Sequence, residues 1–230
     1  MARRSLVVVS AVMGISASQA LSQSLECAGF LSGYVGFDDA SVTEFWSSVS
    51  PDTITLCVDA GLSFATSPYG VSPLHHAATF SEDPAVVEVL INSGAKVNDR
   101  DPEERTPLHY ASEKNESHAT TEALVRAGAD VSARAENTFT PAHFAAAANE
   151  NPEVIKALLT AGGDVNSRDD LGRTPLRLAA ANNANPAVIK ALINAGADLE
   201  LEDNDGNTPL IAAANSNNNP LVVGELISAG

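Results

Sequence analysis

The chain has 230 residues, with 13 Lys+Arg against 29 Asp+Glu, a net charge of −16, and two cysteines. An apolar content of 44 % can fill a core and excludes wholesale disorder. The acidity excludes nucleic acid and an anionic membrane surface as partners, because phosphate neutralisation needs Lys and Arg. Two cysteines are too few for a disulfide-dense scaffold or an all-cysteine zinc site.

The first segment reads as an export signal. Arg3 and Arg4 precede an uncharged run over residues 6–17, and Ser18-Gln19-Ala20 places small residues before a cut after Ala20. The run is shorter than the roughly 20 residues that a membrane-spanning helix needs. Residues 1–20 therefore predict a cleaved signal peptide and a periplasmic or secreted protein, without membrane insertion after cleavage. The alternatives are an uncleaved anchor or a buried N-terminal helix. The paired arginines also suggest twin-arginine export, which ranks second because the flanking residues match that motif poorly. Ser24-Leu25-Glu26 before Cys27 argues against a lipoprotein. Cleavage removes two bases and no acid, so the mature net charge is −18. In an oxidising compartment Cys27 and Cys57 can pair, closing a loop of about 30 residues worth roughly 3–4 kcal/mol in the chain-entropy model. Two unrelated buried thiols are the alternative. Residues 21–40 match nothing else in the chain and read as an N-terminal extension.

From Ser72 onward the chain repeats. Ser72-Pro73-Leu74-His75, Thr106-Pro107-Leu108-His109, Thr140-Pro141-Ala142-His143, Thr174-Pro175-Leu176-Arg177 and Thr208-Pro209-Leu210-Ile211 start 34 residues apart. The pairs Ser93-Gly94, Ala127-Gly128, Ala161-Gly162, Ala195-Gly196 and Ala229-Gly230 keep the same spacing. In each unit the Thr or Ser predicts an N-cap and the following Pro the first helical residue. A short Ala-rich helix follows. Asn115, Asn149, Asn183 and Asn217 recur at one slot, with Ser81 in the first unit, and predict a helix end at positive φ. A second N-cap (Asp83, Ser117, Asn151, Asn185, Asn219) opens a second helix. Its apolar stripe, such as Val188, Ile189, Leu192 and Ile193, needs a neighbour to be buried. The glycine ends that helix, and Asp205-Gly206 marks a tight turn in a hairpin-like excursion.

This loop–helix–turn–helix unit strongly resembles the ankyrin repeat, as in Thr174-Pro175-Leu176 with Leu178-Ala179-Ala180, then Val188-Ile189 with Leu192-Ile193, then Ala195-Gly196-Ala197-Asp198-Leu199. The usual ankyrin period is about 33. The extra residue here lies in the turn between the helices, and many exported bacterial ankyrin proteins look like this. The resemblance implies an all-α, ankyrin-repeat α-solenoid of stacked helix-turn-helix units with β-hairpin-like loops. Residues 41–71 read as a degenerate N-terminal capping repeat, followed by repeats at 72–105, 106–139, 140–173 and 174–207 and a partial repeat at 208–230. Gly230 falls where a next hairpin would begin, and Leu221, Val222, Val223, Leu226 and Ile227 look like an ordinary internal stripe. The two readings are a natural end capped by the last helix pair and an incomplete sequence; the stripe mildly favours truncation or a missing cap.

No motif for hydrolysis, phosphate binding or a dinucleotide is present. His75, His109 and His143 share one slot, but units about 10 Å apart cannot share a zinc ion with ligands near 2 Å. In ankyrin repeats that histidine bonds to neighbouring loops. Asp203-Asn204-Asp205-Gly206 fails as a calcium loop because Leu201 and Ala212 occupy ligand positions. The chain therefore reads as non-catalytic and without a cofactor.

What remains is a surface. The resemblance implies partner contacts on the concave face, at the hairpin tips and the ends of the first helices. The anchors chosen there are Tyr69, Phe80, Arg105, Lys114, Phe139, Leu171 and Arg173, since aromatic and Arg residues dominate interfaces. Phe80 and Phe139 can equally be packing residues. The expected function is a monomeric scaffold that binds a protein partner, with basic character suited to the charge. The alternative is the ankyrin targeting or regulatory portion of a larger enzyme or secreted effector. A small-molecule or metal-binding repeat protein is the third reading.

Overall fold

The computed structural model describes Cys27, residues 39–59 and residues 70–230. The expected signal peptide, nearly all of residues 21–38 and Tyr69 lie outside the described residues. Two helices, α1 (Asp39–Ser48) and α2 (Pro51–Asp59), precede five pairs. These are α3 (Pro73–Phe80) with α4 (Pro84–Asn92), and α5 (Pro107–Lys114) with α6 (His118–Arg126). Then come α7 (Pro141–Ala148) with α8 (Pro152–Thr160), and α9 (Pro175–Asn182) with α10 (Pro186–Asn194). The last pair is α11 (Pro209–Ser216) with α12 (Pro220–Ala229). No strand occurs among the described residues, and no helix there is long and apolar enough to cross a membrane.

First helices pack on first helices of the next pair, and second on second. This buries Leu74, Leu108 and Leu176 from the first helices, and Val86, Leu90, Val154, Leu158, Val188 and Leu192 from the second. Proline opens every helix of the five pairs except α6, where His118 follows Ser117. Its missing N–H is one of the amides a helix start leaves unbonded anyway. Asp83, Asn151, Asn185 and Asn219 accept from the amide two residues on, as N-caps do. Ser117 makes no such bond.

The recurring asparagines correct the expectation drawn from their sequence. Asn115, Asn149 and Asn183 have φ of −87°, −89° and −91°, not positive values. Their side chains instead join one unit to the previous one. Asn149 Nδ2 donates to the carbonyls of Ser112 and Asn115, and its Oδ1 accepts from the Asn151 amide. Asn115, Asn183 and Asn217 repeat the arrangement. The result is a ladder of amides between successive units, buried at Asn115, Asn149 and Asn183 and half-buried at Asn217.

At the N-terminal end Cys27 and Cys57 form a disulfide with Cα atoms 5.5 Å apart. Both are buried, in the same cluster as Trp46 and Ile54. Closing a 30-residue separation constrains the unfolded chain by roughly 3 kcal/mol. A Cys27→Ala/Cys57→Ala variant is therefore expected to unfold at lower urea concentration than the oxidised protein. Dithiothreitol should lower the oxidised protein to the same midpoint and leave the variant unmoved.

Candidate functional site

The hairpins and first helices share one side of the stack. Each hairpin is closed by a backbone bond, from the amides of Asp101, Ala135, Asp169 and Asp203 to the carbonyls of Arg105, Phe139, Arg173 and Asn207. In three of them the buried aspartate also accepts from two further amides, as Asp169 does from Leu171 and Arg173. The second hairpin has Ala135 at that slot and lacks the acceptor. It turns instead through a short 3₁₀ segment, with Asn137 and Thr138 at φ of 63° and 58°.

Thr138 occupies the slot of Glu104, Gly172 and Gly206, all at positive φ. A β-branched residue is disfavoured there by about 1–2 kcal/mol. Thr138→Gly is expected to raise stability by about 0.5–1 kcal/mol, less than the relieved strain because glycine frees the unfolded chain. A thermal melt showing a fall instead would mean that the Thr138 hydroxyl, which donates to Asp170 Oδ1 at 3.0 Å, outweighs the backbone.

Three histidines bridge consecutive units. The Thr106 amide donates to His109 Nδ1 at 3.0 Å, which fixes the tautomer with the proton on Nε2. Nε2–H then donates to the Phe139 carbonyl at 3.1 Å. His75 and His143 make the same contacts with Ser72 and Arg105, and with Thr140 and Arg173. In these units the cap hydroxyl lies 2.7–3.0 Å from Nδ1, while Thr174 and Thr208 accept the helix amides of Arg177 and Ile211. Both ring nitrogens are thus occupied. Burial pushes His109 down to about 4, and lowers His75 and His143 as well. Among the described residues no group of three or more His, Cys, Asp and Glu could hold a metal.

The expected anchors have these positions. Arg105 lies 4.7 Å over the Tyr110 ring and pairs with Asp101, Glu103 and Glu113 at 3.2, 2.8 and 3.8 Å. Arg173 lies 5.2 Å over Phe139 and pairs with Asp169 at 2.7 Å. Both guanidiniums are therefore held by their own hairpins. Phe139 is half-buried, stacked on His143 and edge-on to Phe144. Phe80 is half-buried and stacked on His76, away from that cluster. Leu171 is 55 % exposed at a hairpin tip, and Lys114 is exposed at the end of α5.

Tyr110, Phe144 and Arg177 belong to this side and were not among the expected anchors. Tyr110 donates to Asp101 Oδ2 at 2.7 Å. Burial opposes ionisation of Asp101, yet the bonds from Tyr110 and from the Arg105 amide hold its carboxyl below the usual value. Arg177 takes the place of the histidine in its unit and reaches Asp203 at 2.7 Å. The signal was in the sequence: His76, Tyr110 and Phe144 follow the bridging histidines at the 34-residue spacing. That slot varies between units, as a contact position does.

No curated protein matches this chain. A family model described as ankyrin repeats (3 copies) matches residues 48–135 and 142–230, well over half of it. The helix pairs, the bridging histidines and that match together make the chain a member of the ankyrin-repeat family.

Proposed function

We propose that this protein is an exported, non-catalytic, monomeric scaffold that binds a partner protein through its concave face, the side carrying the hairpins and first helices. Ankyrin repeats generally mediate protein–protein interaction. The observation that carries the reading is the row of half-buried rings, Tyr110, Phe139 and Phe144, locked under Arg105 and Arg173 beside the exposed Leu171. Side chains already ordered by their own hairpins lose little entropy when a partner docks. Export is supported by the N-terminal pattern, and a disulfide suits an oxidising compartment.

The test is affinity capture with the tagged protein from a periplasmic extract of its source, then measurement of the captured partner's Kd. Tyr110→Ala, Phe139→Ala and Leu171→Ala are each expected to weaken binding by about 1–2 kcal/mol, roughly ten-fold, with the helical circular dichroism spectrum unchanged. Unaltered affinity in all three would overturn the concave-face reading. Recovery of the protein only in the cytoplasm would overturn export.

A further inference from the structure

The joint between the second unit (106–139) and the third (140–173) is tied on one side of the stack and loose on the other. On the hairpin side His109 Nε2 donates to the Phe139 carbonyl, the Asp170 amide to Asn137, and Arg134 Nη1 to the Arg168 carbonyl. Asn149 ties the turns within the helix pairs through the carbonyls of Ser112 and Asn115.

The second-helix side lacks what the adjoining joints have. Asn98 bridges the first unit to the second: its Nδ2 donates to the Gly128 carbonyl at 3.0 Å, and its Oδ1 accepts from the Asp130 amide at 2.8 Å. Asn166 bridges the third unit to the fourth in the same way, at 3.4 and 2.9 Å. Ser132 holds that slot between them. It makes neither bond, and its amide turns back to Asp130 Oδ1. Glu200 makes neither bond before the last unit, but α10 and α12 there keep Val188-Ile189 and Val222-Val223 at the centre of their stripes.

The helix α6 does not. Where the other second helices of the pairs have two β-branched apolar residues, it has Thr120 and Thr121, both fully buried. Thr120 Oγ1 donates to the Ser81 carbonyl of the unit before, at 3.2 Å. Thr121 Oγ1 has no partner, so its hydroxyl is desolvated without compensation. Arg126 ties α6 to Glu88 of α4 at 2.9 Å. No side-chain hydrogen bond or ion pair ties α6 to α8 among the described residues.

We propose that this joint is a hinge: α6 stays with α4 and parts from α8, and the hairpin row with Asn149 is the pivot. Parting the second helices bends the stack toward the hairpin side, so the motion narrows the concave face between Tyr110 of the second unit and Phe144 of the third. A stack whose units touch only their neighbours can bend at one joint while the others keep their packing. The hinge belongs to the free chain and stands whether or not a partner uses the concave face.

The test uses the full chain with its disulfide intact. Glu122, Lys156 and Lys190 are exposed and hold one slot of α6, α8 and α10. Spin labels on Glu122→Cys/Lys156→Cys span the hinge, and on Lys156→Cys/Lys190→Cys they span an ordinary joint. Pulsed electron spin resonance is expected to give a distance distribution about twice as broad across the hinge, extended toward longer distances. Thr120→Val/Thr121→Ile/Ser132→Asn gives the joint the residues of its neighbours and should narrow that distribution to the width of the ordinary joint. Hydrogen exchange read by mass spectrometry needs no label. The amides of α6 should exchange about ten-fold faster than those of α10, and the same three substitutions should close the gap. Equal widths in the two labelled pairs, or a width and an exchange rate that the three substitutions leave unchanged, overturns the proposal.

Discussion

An Asn149→Ala variant is expected to lose about 3–4 kcal/mol of stability, because three buried groups lose their partner at once. The side chain is 3 % exposed. Its removal leaves the carbonyls of Ser112 and Asn115 without the Nδ2 donor, at 3.1 and 2.9 Å, and the Asn151 amide without its acceptor. For a chain of this size the shift corresponds to a fall in Tm of roughly 10 °C. Asn151→Ala is the control. It removes a cap on an exposed turn and an exposed bond to the Glu116 carbonyl of the previous unit, and should cost about 1 kcal/mol because water can replace both partners. Equal losses from the two variants in urea titrations would show that the ladder adds nothing beyond a helix cap. In a stack whose units touch only their neighbours, a weakened central joint also uncouples the two halves. The Asn149→Ala transition should therefore broaden, with a smaller m-value, while that of Asn151→Ala keeps its slope.

The ladder shows where sequence reasoning reached its limit. Period, caps and prolines were legible because each is a local preference repeated at fixed spacing. The recurrence of Asn115, Asn149, Asn183 and Asn217 was equally visible, but their task is not local. Nothing in the spacing says that Asn149 Nδ2 reaches a carbonyl 34 residues earlier. That depends on how units stack, and without it a positive φ was the obvious reason for asparagine at a helix end. The binding side behaved the same way. Arg105, Phe139 and Arg173 stood out as types favoured at interfaces, and all three lie on the hairpin side. Their rigidity was hidden, because it comes from Asp101, Asp169, Tyr110 and Phe144, whose partners are set by the hairpin's return.

The four hairpins also show how one joint can be built in different ways. Where the first helix carries histidine, the joint is a neutral ring donating to a carbonyl of the next hairpin. Where it carries Arg177, the joint is an ion pair with Asp203, whose own hairpin has Asn207 in place of the arginine at 105 and 173. The first kind excludes a proton and the second depends on a charge. Acid should act on them in different pH windows.

The loss of stability in mild acid is accordingly expected to come from the histidine joints. His109 is fully buried and held at about 4 by burial, against an ordinary value of 6.5. His76, lowered to about 4 by burial and by His75 beside it, adds to the effect. Because the folded value is the lower one, the unfolded chain takes up protons first as pH falls. The stability is complete above pH 6.5 and drains away between 6.5 and about 4. For each of these two rings the loss is roughly 2 kcal/mol by pH 5. The ion pair behaves otherwise: Asp203, lowered by its backbone amides and Arg177 against the opposing effect of burial, holds its contribution until the pH falls below the ordinary carboxylate range. Urea titrations at pH 7.5, 6 and 5 should therefore show a steady fall, with no plateau until near pH 4. The double variant His109→Arg/Ala135→Asp rebuilds the Arg177–Asp203 joint at the second unit, where the slot facing position 109 holds Ala135 and no carboxylate. It should recover about 2 kcal/mol of the loss at pH 5 relative to pH 7.5. His109→Arg alone, with no carboxylate opposite it, should be unstable at every pH. If the double variant keeps the full pH dependence of the parent, the buried ring at position 109 is not where the proton acts.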